Sequence, residues 1–186
     1  MNNTVCHLIS NYTYEQLNIG QSKQMRKQVS AEDILAFAAV STDTNPAHLD
    51  PEYANHTVFK GVIAHGMYSA GLISALLGTR FPGFGTIYLA QELNFKRPVH
   101  IGDELTIKLT VTDKHDAKNI VILDCAVHNQ RGEGVVLGKA TVIAPKEQVT
   151  REPIEIPTIH VEDAPPSFGF LLNENESALH HEGRLT

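Results

Sequence analysis

The sequence contains few of the residues that mark metal-binding and membrane proteins. It has two cysteines among 186 residues, Cys6 and Cys125, and they form no CxxC or Cys–His pattern, so no zinc site is predicted. Cys125 lies in an apolar stretch and is expected to be a buried, unreactive thiol. No apolar run approaches the roughly 20 residues that a membrane-spanning helix needs, so no membrane partner is expected.

Positive charge is also scarce. The chain has 15 Lys and Arg residues against 21 Asp and Glu residues, a net charge of -6. Because no basic stripe is present, nucleic acid is disfavoured as a partner. Residues 1–14 have neither a basic start nor a long apolar run, so no secretory signal peptide is predicted and a soluble, cytoplasmic protein is expected.

The length and apolar content suit one domain followed by a tail. The chain is 42% hydrophobic, which is enough for an ordinary core. We predict a domain over residues 1–146 and a tail or linker, rich in proline and glutamate, over residues 147–186. Within the tail, residues 154–161 alternate enough for an edge strand, and residues 173–186 are polar and typical of a disordered segment.

The periodicity predicts a strand and two helices in the first half of the chain. Alternation favours a strand over residues 21–29, and Ser30 with Asp33 resembles a capping box ahead of an amphipathic helix. Residues 66–77 are small or apolar all round, which predicts a buried helix. Gly66 and Gly71 lower its intrinsic helicity, so a close backbone approach to a sheet or a ligand is expected there.

The second half of the chain is dominated by strand patterns. Alternation or β-branched content predicts strands over residues 86–95, 105–111, 120–127 and 135–144, with a hairpin turn at residues 131–134. One buried helix followed by a run of long antiparallel strands predicts an α+β fold, in which an antiparallel sheet wraps around a central helix.

An aspartate and a histidine stand five positions apart across an Asn-Pro turn. Pro46 fixes its own φ and moves Asn45 out of the helical region, so the preceding helix must end here. The bend can aim Asp43 and His48 at one point, and such a pair can hold a water molecule and move its protons. The alternative is a plain loop with a surface histidine, because Asx residues and proline are common turn formers.

The start of the buried helix is the second candidate feature. Gly66 opens this helix directly after His65, so its N–H is one of the free donors at a helix N-terminus. That position suits an anion or a developing oxyanion.

Three motifs together resemble the MaoC-like (R)-specific enoyl-CoA hydratases, which have the hotdog fold. The resemblance covers residues 21–144, and the motifs occur in the family's order. They are Asp43-Thr44-Asn45-Pro46-Ala47-His48, Ala64-His65-Gly66-Met67, and Leu93-Asn94-Phe95-Lys96-Arg97-Pro98-Val99 with Gly102-Asp103. The tail resembles the linker of bifunctional proteins in which such a hydratase precedes a phosphate acetyl- or butyryltransferase domain.

The resemblance implies addition of water to a trans-2-enoyl-CoA, giving an (R)-3-hydroxyacyl-CoA. Asp43 and His48 are then the catalytic pair, and the Gly66 N–H is the candidate oxyanion donor. Substrate-binding roles are implied for Asn45, His65 and Ser74. Each has a plainer alternative, namely an Asx turn for Asn45, a structural role for His65 and a core position for Ser74.

The implied partners are the thioester substrate and a second copy of the chain. Coenzyme A would be part of the substrate, no separate cofactor is expected, and a homodimer follows from the way hotdog sheets pair. A metal site built from acidic and histidine side chains is not expected, because their spacing fits no standard ligand pattern. The residues considered for it are Asp43, His48, Asp50, His56 and His65.

Three other functions remain open at this level. A hotdog acyl-CoA thioesterase is the nearest alternative, although such enzymes usually rely on a single carboxylate. A non-catalytic acyl-CoA-binding module would be expected to lack Asp43 or His48, and both are present. A related enzyme that acts on acyl carrier protein would share the same thioester chemistry.

Overall fold

The structure is a computed structural model that describes residues 8–156 and residue 158. The chain folds into two compact units. We call the first the sheet unit, with residues 8–27, 69–97 and 105–156, and the second the helical unit, with residues 28–68 and 98–104. Among the described residues, no helix has the length and apolar character needed to cross a membrane.

The predicted helices and strands occur in the predicted order, and three short elements, at residues 9–10, 46–49 and 150–151, were not predicted. The elements are β1 (Ile9–Ser10), β2 (Ser22–Gln28), α1 (Ala31–Ser41), α2 (Pro46–Leu49), α3 (Pro51–His56), α4 (Gly66–Thr79), β3 (Ile87–Phe95), β4 (Glu104–His115), β5 (Ile120–His128), β6 (Gly134–Ile143) and β7 (Thr150–Arg151). Five strands form one sheet in the order β2-β4-β5-β6-β3, and β1 pairs with β7 in a separate two-stranded sheet. The predicted α+β class, with an antiparallel sheet and a helix packed against it, is confirmed.

The core of the sheet unit comes from strict alternation on its central strands. Leu109 on β4 lies opposite Cys125 on β5, which in turn lies opposite Gly138 on β6. Leu109 and Cys125 are both buried, as are the residues two positions away on each strand. The predicted burial of the Cys125 thiol is confirmed, and this burial raises its pKa to about 11, whereas Cys6 lies outside the described residues.

Helix α4 supplies the opposing apolar surface, but it is not buried all round as its composition predicted. Ile73, Leu76 and Leu77 are at most 1% exposed. Gly71, Ser74 and Ala75 lie on an exposed side of the helix. Apart from its chain neighbours and its own helix backbone, no described atom lies within 4 Å of a Cβ placed at Gly71, so the close approach expected at this glycine is absent among the described residues.

The helical unit begins with the capping box that the sequence predicted. Ser30 Oγ accepts a hydrogen bond from the Asp33 N–H, and Asp33 accepts one from the Ser30 N–H, so α1 has a well-defined start. The helix ends at Thr42, which has a left-handed φ of 61°. Because α1 ends here, the chain continues as the non-helical segment that carries Asp43.

Three predictions concern the end of the chain. The strand pattern at residues 154–161 is wrong over its described part, since no strand is assigned to residues 154–156. Thr150–Arg151 instead pair with Ile9–Ser10. The boundary at residues 146/147 stays a prediction, and the polar segment 173–186 lies outside the described residues.

Candidate active site

Asn45 and Pro46 build the short helix that carries His48. Pro46 occupies the first helical position, where its missing N–H removes no hydrogen bond. The Asn45 side-chain oxygen accepts a hydrogen bond from the Ala47 N–H at 3.0 Å and so caps the helix. The sequence predicted a bend here. The structure adds that the bend is immediately followed by helix α2, because the cap satisfies its first donors.

Asp43 is held in the turn ahead of this cap. Its Oδ1 accepts a hydrogen bond from the Asn45 N–H at 3.2 Å, and its own N–H donates to Ser41 Oγ at 3.2 Å. The Asp43 side chain is 51% exposed. The carboxylate is therefore positioned by the backbone while one oxygen, Oδ2, stays free to face a neighbour.

His48 is buried and oriented by a main-chain carbonyl. It is 8% exposed, and its Nδ1 lies 2.7 Å from the Ile63 oxygen. A carbonyl oxygen can only accept, so Nδ1 carries the proton. In the neutral ring, Nε2 then presents its lone pair 4.0 Å from Asp43 Oδ2. This gap is longer than a direct hydrogen bond and allows one water molecule to bridge the two atoms.

His65 completes a three-residue cluster. Its ring centroid lies 3.9 Å from that of His48, with the planes tilted by 33°. Its Nε2 lies 3.0 Å from the main-chain oxygen of Asp43. Burial lowers the pKa of His65, and the positive charge that His48 can carry acts in the same direction, whereas both the hydrogen bond to Asp43 and the Asp43 carboxylate oppose the shift.

The same three side chains offer ligand atoms within 4.8 Å of one another. Metal coordination needs lone pairs that converge on one point, and the lone pairs of an imidazole lie in its ring plane. The His48 and His65 rings are stacked, with their planes tilted by 33°, so their lone pairs do not lie in a common plane. The absence of a metal from this cluster stays a prediction. Asp50 and His56, also considered as ligands, are engaged by the backbone, Asp50 as the cap of α3 and His56 with the Glu52 carbonyl.

The remaining predicted residues occupy different positions. Gly66 is the first residue of α4 and directly follows His65, as predicted. Asn45 is an exposed helix cap, so the Asx-turn interpretation accounts for its side-chain oxygen. Ser74 lies on the exposed side of α4 in the sheet unit, so the core interpretation of this serine is wrong in the described chain.

Two contributors to the site were not predicted. The carbonyl of Ile63 selects the tautomer of His48, and the carbonyl of Asp43 engages His65. Both are main-chain atoms, which every residue carries, so no residue pattern could have identified them. The Asp50 cap of α3 did have a signal, because Asp directly before Pro51 at a helix start is a common N-terminal arrangement.

The fold and the site define a class: a hotdog domain, with a helix packed on an antiparallel sheet, that carries a closely spaced Asp–His pair. The chain belongs to the MaoC-like family, since the family's MaoC-like domain matches residues 16–129. The predicted family and fold are therefore confirmed.

Known relatives agree with this assignment. The chain is 50% identical over 140 residues to the (R)-specific enoyl-CoA hydratase of Rhodospirillum rubrum, covering 74% of this chain and 94% of that protein. It is 44% identical to the (R)-specific enoyl-CoA hydratase of Aeromonas caviae, covering 70% of this chain and 98% of that protein. The unliganded structure of R-hydratase PhaJ1 from Pseudomonas aeruginosa matches with a TM-score of 0.80 and 45% identity, covering 84% of this chain and all of that one.

Proposed function

We propose that this protein is an (R)-specific enoyl-CoA hydratase, a hydro-lyase that adds water to trans-2-enoyl-CoA. The observation that carries the proposal is the pair formed by Asp43 Oδ2 and His48 Nε2, which face each other across 4.0 Å. The identity to named hydratases over nearly their whole length supports the substrate class. No cofactor is proposed, since coenzyme A enters as part of the substrate.

The pair binds one water molecule and handles its protons. The bare Nε2 of His48 and the Asp43 carboxylate each accept a hydrogen bond from this water, which orients its oxygen. As the oxygen attacks the β-carbon, the pair takes one proton from the water and returns it to the α-carbon on the same face. The C–C π bond breaks while C–O and C–H bonds form, and the pair ends in its initial protonation state.

The thioester oxygen gains negative charge during this attack. The N–H of Gly66 is the proposed donor to it, because the first N–H groups of a helix have no partner within the helix. The positive end of the α4 dipole adds to this stabilisation. Asn45 keeps His48 in place through the α2 cap, and Ser74 remains a candidate contact for the acyl chain.

We also propose a homodimer. Strand β3 lies at the end of the five-stranded sheet and exposes Ile87, Leu89 and Phe95, each at least 50% exposed. Unpaired edges with apolar side chains favour association. The small residues on the exposed side of α4, Gly71 among them, allow another backbone to approach closely. Sedimentation equilibrium of the purified chain tests this, and a monomer at micromolar concentration would contradict it. A cytoplasmic location is proposed from the sequence.

The activity test uses crotonyl-CoA. We expect rapid loss of the enoyl-thioester absorbance without release of free thiol, and an (R)-configured 3-hydroxybutyryl product by chiral analysis. Release of thiol would instead show a thioesterase. No change in either signal, with an acyl-carrier-protein substrate consumed in parallel, would move the assignment to the carrier-protein enzymes.

The Asp–His pair is tested by substitution. Asp43→Asn and His48→Ala are each expected to lower kcat by about 10²-fold or more, because proton transfer of this kind contributes about 10²–10⁴-fold. Asp50→Asn is the matched control, since it makes the same chemical change and keeps a residue that caps α3 well. Normal turnover by a folded Asp43→Asn protein would refute the assignment.

A further inference from the structure

His65 is buried at the proposed site but takes part in none of the proposed proton transfers. It is 2% exposed, and no described residue forms a hydrogen bond with its Nδ1. Burying an imidazole nitrogen without a partner costs free energy, so this position is not explained by ordinary core packing. The role of His65 is indicated by the contacts of its Nε2 and of its ring faces.

The hydrogen-bond partner determines the tautomer of His65. Its Nε2 lies 3.0 Å from the Asp43 main-chain oxygen, which can only accept, so Nε2 carries a proton. A second proton on Nδ1 would be a buried donor with no acceptor among the described residues. The ring is therefore neutral, with a bare Nδ1, and the lowered pKa that burial causes acts in the same direction.

The ring also contacts the other member of the pair. It stacks on His48 at 3.9 Å between centroids, and Phe37 lies 5.0 Å from it at an angle of 43°. One side chain thus holds both the Asp43 peptide and the His48 imidazole. Since the ring is neutral, it does so without placing a positive charge beside His48.

We propose that His65 is a positioning residue of the Asp43–His48 pair, in which its Nε2–H fixes the Asp43 peptide and its ring fixes the His48 imidazole. This inference rests on the proposed function and deepens it. A misplacement of about 1 Å at a reacting group can cost about 10²-fold in rate, so loss of either contact is expected to lower kcat more than it raises KM.

Two variants separate the contacts. His65→Phe keeps an aromatic ring beside His48 but removes the donor to Asp43, and His65→Gln keeps an N–H at the reach of Nε2 but removes the ring. We expect His65→Phe to lower kcat by about 10²-fold with KM changed by less than about threefold. His65→Gln is expected to recover about tenfold of that loss, because the peptide contact is restored.

His56→Phe is the matched control. His56 lies in the same unit, and its Nδ1 also bonds to a main-chain oxygen, that of Glu52, but the residue is exposed on α3. The kcat of the His56→Phe variant should equal that of the wild type. Equal activity of His65→Phe and wild type would overturn the proposal, and so would a loss in His65→Phe that appears only in KM or that His65→Gln shares in full.

A spectroscopic readout separates this proposal from the activity itself. Long-range ¹H–¹⁵N spectra of the imidazoles at pH 7 should show a neutral His65 protonated at Nε2 and a His48 protonated at Nδ1. In His65→Gln, which removes the ring, the His48 signals should move as its imidazole loses its orientation, whereas His56→Phe should leave them unchanged. A His65 protonated at Nδ1 or at both nitrogens would refute the proposal. Wild-type protein without hydratase activity but with these spectra would refute the function and leave the contacts standing.

Discussion

The β4–β6 portion of the sheet unit and the Asp43–Gly66 portion of the helical unit are built by different forces. In the strands, alternate residues such as Leu109 and Leu123 are wholly buried, and their stabilisation comes from apolar contact. Around Asp43, a half-exposed carboxylate and a buried imidazole are held mainly by hydrogen bonds to main-chain atoms. The apolar contacts of the strands stabilise the fold, whereas the hydrogen bonds around Asp43 set the positions of the two side chains of the proposed pair. Substitutions in the two regions should therefore change different measured quantities.

The largest effect on stability is expected at Gly138 on β6. A Cβ at this position would lie 1.9 Å from the Glu92 main-chain oxygen and 3.1 Å from the Leu93 Cα, so β3 would have to move. Gly138→Ala is expected to lower the free energy of unfolding by about 3 kcal/mol or more, as measured by urea denaturation. The control is Gly134→Ala on the same strand, where the added atom meets only Leu137 side-chain atoms at 3.6–3.8 Å. Equal midpoints for the two variants would contradict the close strand approach.

Leu123 on β5 tests the apolar side of the comparison. The residue is completely buried, so Leu123→Ala should lower the free energy of unfolding by about 2–5 kcal/mol through lost contacts and a cavity. The rate per folded molecule should stay close to that of the wild type, since the substitution leaves every hydrogen bond around Asp43 in place. Denaturant titration and kcat measured on the same preparation check this. A variant that loses rate without losing stability would break the division between the regions.

Asp50 tests the polar side at a smaller magnitude. Its Oδ1 accepts hydrogen bonds from the Glu52 and Tyr53 N–H groups at the start of α3. Asp50→Ala should therefore lower the free energy of unfolding by about 1 kcal/mol, and Asp50→Asn should recover most of it. Thermal denaturation of the wild type, Asp50→Ala and Asp50→Asn in one buffer compares their stabilities. Equal destabilisation by both variants would show that the charge of Asp50, rather than its cap, is what matters.

The pH dependence of stability gives the smallest effect. The pKa of His65 is lowered in the folded protein, so below its ordinary value of 6.5 the unfolded chain binds a proton that the folded protein does not. Stability contributed by the neutral ring is complete above pH 6.5 and is lost as the pH falls toward the folded pKa. The slope from one such group cannot exceed about 1.4 kcal/mol per pH unit. Urea midpoints between pH 8 and pH 5 measure it, and His65→Phe should show a shallower decline than His56→Phe.

Some elements could be predicted because their signals are local. The Ser30–Asp33 capping box lies within four residues, and the strand alternation on β4 and β5 repeats every two. By contrast, buried Asn11 donates to the carbonyls of Phe84 and Glu147 and accepts from the Val149 N–H. Its partners are 73–138 residues away, so no sequence window contains this contact.

The sequence by itself determined the class of fold, the order of the elements and the two residues of the proposed pair. Periodicity, caps and the Asn45-Pro46 bend depend on covalent chain geometry, which acts between neighbours. Only the tertiary structure decided that His48 exposes its Nε2 to Asp43, that His65 contacts both the Asp43 carbonyl and the His48 ring, and that one side of α4 is open. Those outcomes depend on which main-chain carbonyl or apolar surface from a distant part of the chain packs against each side chain. Because every residue type carries the same carbonyl, the residue pattern does not identify that partner.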